Sequence, residues 1–220
     1  MNWEDFCRHA DRLLFRQLLL NQPGTHNRAC DTTREAIGGV INGVDVDRLG
    51  ETVNLIRQNP ILATSRFRAT NSWISGGHNR SRIHTFYAAG REDTSRSQPF
   101  VLDADEPSWL LGTNRGANPG EFVLHALAAC LTTSLVYHAA ARGIRVESVE
   151  STVEGDIDWR GFLGLSADVR RGFKQIRVHF TVKSNASSER LRELTTFSPV
   201  LDIVSNPVPV SVTIASRPTR

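Results

Sequence analysis

Hydrophobic and polar positions change their period several times along this chain, and each change marks an element. Over residues 1 to about 60 the spacing is helical. Trp3, Phe6, Leu13, Leu14 and the run Leu18-Leu19-Leu20 form an apolar stripe, which Gln22-Pro23-Gly24 interrupts. A second helix is predicted from about Asp47 to Gln58, with Asp45 or Asp47 as cap and Asn59-Pro60 as stop. From Arg66 the period shortens. Phe67, Ala69 and the stretch to Ile74 read as a strand, Gly76-Gly77-His78-Asn79 as a turn, and Ile83-His84-Thr85-Phe86-Tyr87 as the returning strand of a hairpin. Phe100-Val101-Leu102 gives a short third strand before a polar loop, Asp103-Ala104-Asp105-Glu106-Pro107.

From Phe122 to Ala141 no residue is formally charged. Asn118-Pro119-Gly120-Glu121 opens this segment as a capping box, with Asn118 as cap, Pro119 at the first helical position and Glu121 three residues after the cap. Arg142-Gly143 closes it. A helix apolar on most sides is buried or lies in a membrane. His125, Thr132, Thr133, Ser134 and His138 interrupt this one, so it is read as a core helix and no membrane association is expected.

Two long alternating runs follow, Val146 to Trp159 and Gly172 to Lys183, joined through Gly161-Phe162-Leu163-Gly164. Strict alternation is the mark of a strand with one wet face. Ser187 to Phe197 predicts a short helix, Ser198-Pro199 opens another to about Val204, and Val208 to Ala215 predicts a last strand. The order is β-β-β-α-β-β-α-α-β, an α+β pattern with antiparallel pairing.

Composition narrows the classes. The 220 residues are 40% hydrophobic and 22% charged, with a formal net charge of +3. Lysine occurs only at Lys174 and Lys183, and no basic run exceeds a pair, so the concentrated stripe that nucleic acid requires is missing. Met1-Asn2-Trp3-Glu4-Asp5 shows no basic region leading into an apolar one, and no secretory signal is expected. Cys7, Cys30 and Cys130 are odd in number and widely spaced, which fits neither a disulfide framework nor a zinc site. A reducing compartment, the cytoplasm, is the expected location. His125 and His138 lie about 220° apart around a helix, too far to share a metal. Glu154, Asp156 and Asp158 alternate on one strand and are read as solvent-facing. No metal and no cofactor are expected.

The run Gly116-Ala117-Asn118-Pro119-Gly120-Glu121-Phe122-Val123-Leu124-His125-Ala126-Leu127-Ala128-Ala129-Cys130 resembles the signature of the OsmC/Ohr family, an Asn-Pro opening before an Ala-rich helix that reaches Ala-Ala-Cys. Gly172-Phe173 and Ile176, and the Ser198-Pro199 helix start, fall where that family has theirs. The resemblance covers roughly residues 41 to 216, with Asn42-Gly43-Val44-Asp45 as lead-in, and divides the chain into an extension, 1–40, and an OsmC-like domain, 41–220. It implies an intertwined homodimer with antiparallel sheets wrapped around two central helices. It also implies a thiol-dependent reduction of hydroperoxides, peroxiredoxin-like in outcome and tied to oxidative stress.

The resemblance implies a site that these residues meet only in part. Cys130 matches the attacking cysteine, whose anion is the nucleophile. Arg80 is the candidate cation, in the order Trp73-Ile74-Ser75-Gly76-Gly77-His78-Asn79-Arg80, with Arg82 as competitor on the same face. Glu121 is the candidate carboxylate. Nine helical residues turn it about 180° from Cys130, so it meets a thiol only from the other subunit or through unusual geometry, and capping is its alternative role. Where the family has a second cysteine this chain has Ser198, which leaves a one-cysteine cycle with an external thiol reductant of unknown identity. Helical spacing places Val123, Ala126, Leu127, Thr133, Ser134 and Tyr137 on the face of Cys130, a lining for an apolar peroxide or a packing surface for a partner helix. The alternative to an enzyme is a non-catalytic protein that binds an apolar small molecule at the dimer interface. A third reading is a redox sensor pairing Cys7 or Cys30 with Cys130.

Overall fold

The computed structural model describes residues 39–218. The expected N-terminal helix with Trp3, Phe6 and Leu18-Leu19-Leu20, together with Cys7 and Cys30, lies outside the described residues.

The described chain opens with a small hairpin, β1 (Val40–Ile41) and β2 (Val44–Asp45), and then α1 (Val46–Gln58). Asp45 is the cap of α1 and accepts from the Arg48 amide at 2.9 Å, while Asp47 accepts from the Gly39 amide, which resolves the two candidates. Asn42 ties this hairpin to the second half of the chain: its side chain donates to the Ile144 carbonyl and accepts from the Val146 amide, both at 2.9 Å.

A three-stranded antiparallel sheet follows in the order β3 (Thr70–Ser75), β4 (His78–Ile83) and β7 (Phe100–Ala104). The expected returning strand, Ile83 to Tyr87, is corrected: the strand paired with β3 begins at His78. Its ladder is built on polar pairs that apolar alternation does not reveal, since the Asn71 amide group donates to Asn79 at 2.7 Å and to Ser81 at 2.9 Å. Phe86 belongs instead to a separate hairpin, β5 (Phe86–Ala88) with β6 (Arg91–Asp93). The third strand also outlasts its apolar run, because Asp103 and Ala104 pair with Arg80 and Asn79.

The second half is built on α2 (Pro119–Ala140) and the long antiparallel pair β8 (Val146–Ile157) and β9 (Phe173–Ser184). The predicted capping box is present: Asn118 accepts from the Gly120 amide at 2.7 Å, and Glu121 accepts from the Asn118 amide at 2.8 Å. β8 stops short of Trp159, because Asp158 caps a single helical turn, α3 (Trp159–Phe162). Gly155 on β8 is required by close approach: an added Cβ would lie 2.6 Å from the Phe173 ring and 3.2 Å from Leu124. The N-terminal half of α2 therefore rides directly on the hairpin.

Two short helices, α4 (Ser188–Thr195) and α5 (Pro199–Ser205), pack on α2 together with β8. Leu127, Leu131, Ser134, Leu135, Ala139 and Ala140 of α2 are buried there, with Leu191 and Leu194 of α4. Each fully buried leucine contributes about 1.5–3 kcal/mol. The helix read as a core helix carries this buried stripe along its length. Among the described residues its main contacts lie on one side and its other face is exposed, and by length and composition alone this helix is apolar enough to cross a membrane.

The predicted last strand, Val208 to Ala215, is corrected as well. The segment forms no ladder with any described strand, and Val210, Val212 and Ile214 are 78–89% exposed. Alternation marks a strand only when an edge is available to pair with it, and within the described residues none is used.

Candidate active site

Cys130 is a free thiol near the middle of α2 and is half-buried. It lies on the seam between the covered and open faces of the helix. Of the residues that share its side, Leu127 and Ser134 are buried, whereas Val123, Ala126, Thr133 and Tyr137 are exposed. The thiol is thus bordered by apolar and hydroxyl side chains, with the open stripe leading up to it from both directions along the helix.

Glu121 stands at the N-terminus of the same helix, exposed, with its carboxylate engaged by the Asn118 amide.

Arg80 lies on β4, in register with Asp103 of β7. Its Nε donates to Asp103 Oδ1 at 2.9 Å and its Nη2 to Oδ2 at 3.1 Å. His78 Nε2 donates to the same Oδ1 at 2.9 Å, from a nearly buried ring. Hydrogen bonds from Arg80 first, and then from His78, hold the Asp103 carboxyl below its ordinary range, and the Arg80 guanidinium is pushed higher in turn. Sequence reasoning missed Asp103 because it ended the strand at Leu102. The only available signal was that Val101 and Asp103 continue the alternation. Arg82 shares the face of Arg80, is exposed, and forms no ion pair among the described residues.

The loop that delivers the chain from β7 to α2 is organised by a second acid that the sequence did not single out. Asp105 is almost fully buried and accepts from the Thr113 hydroxyl at 2.6 Å and from the amides of Glu106, Thr113 and Arg115. The Thr113 hydroxyl is the largest of the causes that lower its carboxyl to about 2. Glu106 in turn accepts from the Asn118 side chain, so the loop and the cap of α2 form one hydrogen-bonded unit.

Ser198 is buried and caps α5, accepting from the Leu201 amide at 3.2 Å. His138 stacks on Phe197 with ring centroids 4.0 Å apart, and its Nδ1 faces the Arg142 guanidinium at 3.1 Å. Burial first, and the Arg142 charge second, lower the His138 imidazole to about 4. The alternating carboxylates of β8 are engaged by cations: Asp156 and Glu154 by Arg177, and Asp158 just beyond the strand by Arg160 and Lys174.

Residues 112–213 match the family model described as OsmC-like protein. Over that span, a little under half of its length, the chain is OsmC-like. The matched span runs from the Asp105-anchored loop, through α2 and Cys130, to the C-terminal segment. Solved structures similar to it include an OsmC-like protein from Mycoplasma pneumoniae, 19% identical, covering 64% of this chain and 89% of that one with a TM-score of 0.46. An organic hydroperoxide resistance protein, OsmC, from Legionella pneumophila is 19% identical and covers 64% of this chain and 89% of that one, with a TM-score of 0.44. The organic hydroperoxide resistance protein OhrB of Bacillus subtilis is 19% identical over 64% of this chain and 93% of that one, with a TM-score of 0.37. A comparison with curated proteins finds no match.

Proposed function

We propose that this OsmC/Ohr member reduces organic hydroperoxides through the single thiol Cys130. The observation that carries the reading is a half-buried free cysteine at the edge of an open apolar helix face, within the matched span. The Cys130 thiolate attacks the distal peroxide oxygen, the O–O bond breaks, and the alkoxide leaves and takes a proton, giving a cysteine sulfenic acid and an alcohol. Ser198 has no thiol with which to resolve that sulfenate. An external thiol condenses with it, releasing water and forming a mixed disulfide, and a second equivalent releases Cys130 as thiol.

Arg80 is the cation of the thiolate in this reading. The main contacts of its sheet are internal, while those of α2 are with β8, α4 and α5, so Arg80 reaches a thiol by way of a second protomer. Glu121 is the cap of α2 in this reading and takes no part in the reaction; a place beside a thiol would require the partner's side. The homodimer, with the open face of α2 against its counterpart and residues 208–215 added to the partner's sheet, is part of the proposal. So are the 41–220 domain boundary, the extension 1–40 and a cytoplasmic location. The uncharged helix face and the unpaired alternating segment support the dimer, because each leaves in water what a second copy would cover.

Treatment of the reduced protein with cumene hydroperoxide, with sulfenate trapped at Cys130 and read by mass spectrometry, tests this. Sulfenate is expected in the wild type and none at that position in Cys130→Ser. If Cys130 stays a thiol while peroxide persists, the enzyme reading fails and binding of an apolar molecule at the interface takes its place. Light scattering is expected to give twice the mass of the chain.

A further inference from the structure

The three strands of the β3–β4–β7 sheet bring a second acid–base group to the face that carries Arg80. Cross-strand register sets Ser72, Arg80 and Asp103 side by side, and alternation puts His78 on the same face. Asp103 takes Arg80 by one edge, through Nε and Nη2, and His78 steadies the shared Oδ1 from another direction. A guanidinium has five N–H donors in a rigid plane. Two are spent on Asp103. The remaining three, two on Nη1 and one on Nη2, meet no partner among the described residues, and the Nη1–Nη2 edge of the plane is left for another acceptor.

We propose that Asp103 is the positioning residue of this site: it grips the Nε edge of Arg80 and turns the Nη1 edge toward the anion, the Cys130 thiolate. The inference rests on the reading of Cys130 as the reacting thiol and Arg80 as its cation. Asp103 acts through Arg80 and touches no reacting atom. A carboxylate placed near a thiolate as a mere neighbour disfavours the anion. A carboxylate that orients the cation favours it, so the two roles predict shifts of opposite sign.

The test is the pH dependence of Cys130 alkylation in the reduced full-length protein, read on the Cys130 peptide by mass spectrometry. Arg80→Ala is expected to raise the titration midpoint by about 1 unit or more. Asp103→Asn, nearly isosteric, is expected to raise it by about half that. The double variant is expected to match Arg80→Ala, because two residues acting through one contact are not additive. Asp103→Glu keeps the charge but moves the carboxylate by one methylene, so positioning predicts a rise and a bystander charge predicts none. This second variant decides the matter if Asp103→Asn does not fold. A midpoint lowered in Asp103→Asn, or effects that add in the double variant, overturns the role of Asp103 while leaving Arg80 in place. An unchanged midpoint in Arg80→Ala removes the cation from the proposed reaction, and Asp103 with it.

Discussion

Replacing Glu121 separates helix capping from chemistry. In the structure its carboxylate accepts one hydrogen bond, from the Asn118 amide at 2.8 Å, while Asn118 accepts from the Gly120 amide at 2.7 Å. Glu121→Gln keeps an acceptor oxygen within reach of that amide and removes only the charge at the helix N-terminus, at a cost of about 0.3–1 kcal/mol. Glu121→Ala loses the charge and also leaves the Asn118 amide without its partner, for a total of about 1–2 kcal/mol. A domain of this size loses about 2–4 °C of melting temperature per kcal/mol. The Gln variant should therefore melt about 1–3 °C below wild type and the Ala variant about 3–7 °C below it. Both are expected to form Cys130 sulfenate within about twofold of the wild-type rate, since a surface cap lies about two and a half turns from the thiol and on the opposite side of the helix. Calorimetry and single-turnover trapping with cumene hydroperoxide read the two quantities independently. A Gln variant that melts normally but forms sulfenate more than tenfold slower would refute the capping account and put the carboxylate into the reaction.

Three further outcomes follow from the packing and the titration of single groups. Leu135→Ala, in the buried stripe of α2, should cost about 2–5 kcal/mol by chemical denaturation; a loss below about 1 kcal/mol would mean that the contacts with β8, α4 and α5 do not form as described. Gly155→Ala should cost about 1–3 kcal/mol, because its Cβ would press the Phe173 ring at 2.6 Å, and Phe173→Leu in the same chain should recover part of that loss. Folding holds His138 near 4 against 6.5 for the free side chain, so the unfolded state binds more protons between those values. Stability is then fully present above about pH 6.5 and falls as the pH drops toward about 4, by roughly 1–2 kcal/mol once solvent screening of a half-buried ring is allowed for. His138→Gln should flatten that slope, and an unchanged slope would locate the dependence in another group.

The sequence by itself determined what local chemistry determines. Asn118, Pro119 and Glu121 specify the start of α2, Ser187 and Ser198 the starts of α4 and α5, and strict alternation the β8–β9 pair, because capping and side-chain period act over a few residues. The Ala-Ala-Cys130 run carried the OsmC-like resemblance for the same reason: it is contiguous. Only the tertiary structure decided what depends on register between distant strands. Asp103 meets Arg80 across a ladder joining residues 23 positions apart, so sequence could name the arginine but not its carboxylate. The strand that begins at His78 was hidden because its pairs are polar. Burial was the other undetermined quantity. Alternation in Val208 to Ala215 and the uncharged length of α2 both predict apolar contact, yet neither says which chain supplies it. Among the described residues one face of α2, with Cys130 at its edge, and the segment Val208 to Ala215 stay exposed, and only tertiary contacts decide that.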